Sequence, residues 1–164
     1  MKKKKIQKIA IASIIAAIVG GVVVYNYNID QIKAKGFNFG NELQQIQDDV
    51  AKLQNDFSSK IVQFEEGDLT KEEFLEYSKN HILEMEKIIP RYDRLSPPEP
   101  YVSSVKLFKL STESQIESDR EYIKWIETGN GAHMIRSDSL IQEALQYELA
   151  ALADYKEAQL GLKQ

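Results

Sequence analysis

The stretch "FEEGDLTKEEFLEY", residues 64–77, decides the fold, because it stops one helix and starts the next. Gly67 accepts the positive φ that terminates a helix. Thr70-x-x-Glu73 then has the form of a capping box, in which the threonine hydroxyl takes the Glu73 amide and the Glu73 carboxylate reaches back to Thr70. Leu69 before the cap and Phe74 after it fit a hydrophobic staple. The acidic run Glu65, Glu66, Asp68, Glu72, Glu73 and Glu76 suits a helix N-terminus through its dipole and lacks the alternating ligands and the glycine of a calcium loop.

Upstream of this boundary, Leu43, Ile46, Val50, Leu53, Phe57, Ile61 and Phe64 recur at steps of three and four. The spacing predicts a helix from about Asn41 to Glu66. Downstream, Phe74, Tyr77, His81, Met85, Ile88, Tyr92 and Leu95 share one face, with Pro90 expected to kink or end that helix. "LSPPEP", residues 95–100, reads as a rigid connection. A third helix is predicted from about Glu99 to Thr128 on the stripe Val105, Phe108, Thr112, Ile116, Asp119, Ile123 and Ile126, ended by "GNG" at 129–131. A fourth, from about His133 to Leu162, is apolar over a wide arc through Ile141, Leu145, Leu149, Leu152 and Tyr155 with alanines between, which predicts a place at the centre of the bundle. Long helices joined by short loops imply an all-α, antiparallel up-down four-helix bundle over residues 41–164, each helix about 40 Å long.

The N-terminal segment sets the location. No charge occurs between Lys8 and Asp30, and residues 9–29 span roughly the 30 Å of a bilayer core as a helix. No small-x-small cleavage pattern follows, so the segment reads as an uncleaved signal anchor. Lys2 to Lys5 and Lys8 place residues 1–8 in the cytoplasm, and Tyr25 and Tyr27 suit the far interface. The expected organisation is a cytoplasmic tail (1–8), a transmembrane helix (9–29), a glycine-containing juxtamembrane joint (30–40) whose Phe37 and Phe39 can fold onto headgroups, and an extracytoplasmic bundle (41–164). With five of the 21 basic residues before position 9, residues 30–164 hold 16 basic and all 25 acidic side chains, a net −9. Such a domain repels nucleic acid. The absence of cysteine removes disulfides, thiolate chemistry and lipoprotein acylation together.

Several polar residues sit on the apolar stripes. His81, Thr112, Asp119, Asp138 and Glu148 are candidates to point inward, and His81 with Glu84 one turn on, completed by Asp119 or Glu148, is the candidate metal shell. A satisfied, half-buried histidine is the plainer reading of His81. No Glu-x-x-His pair supports a di-iron site, and His133 with Met134 supplies too few ligands for a soft metal. "SDR" (118–120) and "RSD" (136–138) flank the 129–131 turn, so Asp119, Arg120, Arg136 and Asp138 are expected to form salt bridges across the hairpin. Tyr122 and Trp125 read as core. No Gly-x-Ser-x-Gly elbow, Ser/His/Asp set or phosphate-cradling loop is present, and no cofactor is expected.

The segments "LSPPEPYVSSVKLFKLSTESQIESDREYIKWIETGNG" (95–131) and "RSDSLIQEALQYELAALADY" (136–155) resemble single-pass, membrane-anchored helical proteins of archaea, some of which are thought to be accessory subunits of membrane complexes such as ammonia monooxygenase. The resemblance implies a non-catalytic interaction protein, on the outer face of the cytoplasmic membrane, partnered by another membrane protein or by its own copies. The alternative is a ligand- or metal-binding ectodomain built on the polar interior.

Overall fold

The Thr70 boundary forms as the sequence dictates. The Thr70 hydroxyl accepts from the Glu73 amide at 3.2 Å, and the Thr70 amide donates to Glu73 Oε2 at 2.8 Å. That backbone bond, with the Thr70 hydroxyl, holds the Glu73 carboxyl below its ordinary pKa. Ahead of it Gly67 turns at φ +86°, and the amides of Asp68 and Leu69 return to the Gln63 carbonyl at 2.8 and 3.3 Å, closing the preceding helix.

The computed structural model describes residues 33–161, with side chains from Asn38 onward. Four long helices follow in order: α1 (Lys33–Glu66), α2 (Lys71–Arg94), α3 (Val102–Thr128) and α4 (Gly131–Gln159), with a 3-10 turn at Glu99–Tyr101 leading into α3. Every described element is helical. The cytoplasmic and transmembrane readings of residues 1–8 and 9–29 lie outside the described residues, and among the described residues no helix is long and apolar enough to cross a membrane.

Successive helices run antiparallel. Gln47 meets Tyr92 while Phe57 stacks near Phe74, Tyr92 meets Thr112 while His81 meets Asp119, and Ser111 meets Ala144 while Ser118 meets Ser137. In each pair, rising numbers on one helix match falling numbers on the next, so the chain goes up, down, up, down.

One helix boundary differs from the sequence expectation. α1 is already helical at Lys33, the first described residue, rather than from near Asn41, so the joint foreseen at 30–40 is helical from Lys33 onward, with Gly36 and Gly40 inside it. Phe39 is buried and packs on Tyr101 with ring centroids 5.6 Å apart, instead of turning toward headgroups. Burying that ring stabilises by about 2–3 kcal/mol, which offsets the cost of about 1 kcal/mol for each of the two glycines in the helix. α2 does not end at Pro90 but runs on to Arg94, as the stripe through Tyr92 requires. Pro90 and Glu86, whose carbonyl loses its bond, are both exposed, where solvent replaces the missing partner. The continuation buries Tyr92.

α4 is not the central helix. Along its buried face, beside Leu140, Glu148 and Tyr155, runs a ladder of small side chains at intervals of seven, Ser137, Ala144, Ala151 and Ala158, set against a second such ladder on α3, Ser104, Ser111 and Ser118. The small residues let the two backbones approach more closely than any other helix pair in the bundle. The Ser111 hydroxyl donates to the Ala144 carbonyl at 2.9 Å, and the Ser118 hydroxyl to the Ser137 carbonyl at 2.9 Å. Because that narrow face does the packing, the leucine arc lies to its side. Leu149 is 49% exposed, and Ile141 and Leu145 are half-buried.

The apolar interior divides along the bundle axis. One cluster, near the Pro-rich turn, joins Phe39, Leu43, Ile46, Val50, Met85, Ile88, Val105, Phe108 and Ile116. The other, near the Gly67 and Gly129 turns, is aromatic: Phe57, Phe74 and Tyr122, with Phe64 and Trp125 packed on it.

Candidate functional site

Between and within the two apolar clusters the helices exchange polar contacts at two levels. α1 brings Gln54 to the first because it follows Val50 by four on the buried stripe, α2 brings His81, and α3 brings Asp119. Asp119 Oδ2 accepts from Gln54 Nε2 at 2.8 Å and faces His81 Nε2 at 2.9 Å. The His81 ring lies flat on Phe57, 4.2 Å between centroids at an interplanar angle of 2°. With the proton on Nε2 the ring donates to Asp119, and Nδ1 has no hydrogen-bond partner. Three helices are thus fastened at one carboxylate oxygen.

The second level lies two helical turns along, since Thr112 precedes Asp119 by seven on α3. Gln47 Nε2 donates to the Tyr92 hydroxyl at 2.9 Å, and that hydroxyl pairs with Thr112 Oγ1 at 2.8 Å. Burial pushes the Tyr92 phenol far above its ordinary pKa. Glu148 of α4 completes this level. It is 1% exposed, its Oε1 has no hydrogen-bond partner, and burial pushes its carboxyl up to about 7 against the partial counter-effect of the Ser111 hydroxyl. Its negative charge reaches Tyr92, raising that phenol further.

Of the residues singled out from the sequence, His81 and Asp119 come together, and Glu148 enters the interior at the other level. Glu84 does not join them: it stays at the surface, paired with Lys87 at 2.5 Å. Among the described residues no three His, Asp or Glu side chains converge into a group able to hold a metal ion. The triplets "SDR" and "RSD" do come opposite each other, but the serines make the contact, with Ser118 and Ser137 hydroxyls 3.1 Å apart. Asp119 turns inward to His81, Arg120 bonds to Glu117 and to Glu86 of α2, Arg136 is exposed, and Asp138 is half-buried. His133 serves the hairpin instead: its Nδ1 meets Glu121 Oε2 at 2.6 Å, and Lys124 with His133 holds the Glu121 carboxyl below its ordinary pKa.

The sequence reading missed Gln47, Gln54, Ser111 and Gln115, all buried members of the polar interior. Their signal is positional: Gln47 and Gln54 are seven apart beside the apolar stripe, and Ser104, Ser111 and Ser118 repeat at seven. Chemically, the arrangement fastens helices to each other. The His81 side chain is wholly shielded from solvent. No protein-family model, curated protein or solved structure matches this chain.

Proposed function

We propose that this chain is a membrane-anchored, extracytoplasmic helical interaction protein, a non-catalytic accessory or structural subunit of a membrane protein complex. The observation that carries the reading is the apolar side of α4: Ile135, Leu149 and Leu160 are 73%, 49% and 63% exposed. They stand about four and about three helical turns apart, which returns them to one side of the helix, beside half-buried Ile141, Leu145 and Leu152. Exposed apolar side chains aligned in this way mark a surface for another protein. Only a few residues separate the anchor expected at 9–29 from Lys33, the first described residue of α1, which supports a bundle held close to the bilayer.

Extraction of the full chain in mild detergent followed by native mass measurement tests this. A particle larger than one chain with its detergent is expected, reduced to a single chain by Ile135→Glu combined with Leu149→Glu. A single chain for the parent protein at every detergent concentration would end the proposal. Protection of a C-terminal tag from protease in sealed vesicles of outward orientation would contradict the topology.

The unpartnered His81 Nδ1 and Glu148 Oε1 support a second reading, an ectodomain that binds a ligand or metal at polar residues of the bundle interior, with His81–Asp119 and Glu148 at their separate levels. Elemental analysis with and without His81→Ala decides it, and no stoichiometric metal ends the metal version.

A further inference from the structure

Glu148 is a carboxylic acid in an interior that supplies no cation to meet its charge. From α3 it meets the Ser111 hydroxyl, which carries no charge, donates to the Ala144 carbonyl and only partly offsets the burial. From α2 it faces Tyr92, itself neutral and bonded to Thr112, and beyond it Arg91, which is committed to Asp49 of α1 at 2.6 Å. From α1 the Gln47 amide reaches that same Tyr92 hydroxyl and carries no charge. His81 and Asp119 belong to the other level, where they face each other. On its own helix the neighbouring Tyr147 bonds outward to Glu143. Glu148 is therefore accommodated in its protonated form, and its ionised form has nowhere to place the charge.

Its position matters as much as its burial. Glu148 lies on the buried face of α4 between Ala144 and Ala151, with Leu140 and Tyr155 as the other large side chains buried there. Ionising Glu148 places a charge within the contact that seats α4 on the bundle. We propose that Glu148 is a proton-operated latch on α4: protonated, it keeps α4 seated on α2 and α3, and ionised, it releases that helix toward solvent. Because α4 also carries Ile135, Leu149 and Leu160, release would remodel the surface assigned above to a partner, yet the latch itself stands whether or not that surface is used.

The sign follows from the carboxyl's two environments. Its pKa is about 7 when seated against an ordinary 4.5 when α4 is free. Seating is strongest below 4.5, weakens about tenfold per pH unit between the two values, and is constant above 7. The opening equilibrium of α4 is thus expected to rise on the order of a hundredfold from acid to alkaline conditions.

Hydrogen exchange of the full chain in mild detergent, corrected for intrinsic rates and compared at pH 5 and pH 8.5, tests the latch. Opening of residues 131–159 is expected to increase with pH while α1 and α2 change much less. Glu148→Gln is expected to flatten that rise, and Glu148→Met to do the same should the amide disturb folding. A pH dependence retained in both variants, or an equal rise across all four helices, overturns the proposal. Carbon NMR of the Glu148 carboxyl in the unaltered chain decides independently of any variant: a midpoint near neutrality supports the latch, and one near 4.5 refutes it.

Discussion

Replacing Asp119 by alanine removes the single atom on which α1, α2 and α3 converge. Asp119 Oδ2 serves Gln54 Nε2 at 2.8 Å and His81 Nε2 at 2.9 Å, both donors being buried. Each buried donor left without an acceptor costs about 1–3 kcal/mol, and the relief of no longer burying a carboxylate offsets part of this. The net loss is therefore about 2–4 kcal/mol, which lowers the midpoint by roughly 8–15 °C for a domain of this size. Thermal unfolding of the full chain in mild detergent, followed by far-ultraviolet circular dichroism, reads it directly. Asp119→Asn keeps one acceptor oxygen and should lose less. The triple replacement Gln54→Leu, His81→Phe, Asp119→Leu removes donors and acceptor together, keeps the stack on Phe57, and should recover most of the loss. A cost under about 0.5 kcal/mol for Asp119→Ala, or additive effects of Gln54→Leu and Asp119→Leu, would refute the idea that this carboxylate clamps three helices.

Three further outcomes follow from the geometry. Ala144→Leu forces the α3–α4 backbones apart at the Ser111 contact and should cost at least about 2 kcal/mol, measured by denaturant unfolding, whereas Ala150→Leu on the exposed side of the same helix should be nearly neutral. Gly129→Ala meets no atom within 4 Å but must hold φ +71°, so its loss of about 1 kcal/mol should be purely conformational and Gly129→Asn should be milder. Glu121 has a depressed carboxyl pKa, so its ties to Lys124 and His133 contribute fully above the ordinary 4.5 and fade as pH falls through the lowered value; Glu121→Gln should flatten the acid limb of the stability profile.

What could be read in advance was local chemistry. The Thr70 capping box, the glycine stops at 67 and 129 and the α1 stripe from Leu43 to Phe57 depend on residues within a turn or two of each other, and they form as their spacing dictates. The helical stretch 33–40 of α1 was hidden because Gly36 and Gly40 read as breakers until Tyr101, distant in sequence, gives Phe39 somewhere to pack. α4 misled for the opposite reason. Its leucines outweigh its alanines in any hydrophobicity count, yet helix approach distance is set by the smallest side chains, and the serines of α3 that select Ala144 and Ala151 look hydrophilic when seen alone. The interior polar residues were half legible. His81, Asp119 and Glu148 stand out as charged groups on apolar stripes, but which partners they take depends on axial register, and that separates Glu148 from the His81–Asp119 pair.

The link of Gly129 and Asn130 between α3 and α4 has a consequence for the order in which the chain acquires structure. Helices joined so briefly close with little loss of chain entropy, and hydroxyl-to-carbonyl bonds across the seam reward closure at once. This C-terminal hairpin is expected to be the nucleus on which α2 and then α1 condense. A ribosome makes it last, so the apolar stripe of α1 emerges before its cover exists, and the nascent protein needs shelter for as long as synthesis of the second half takes.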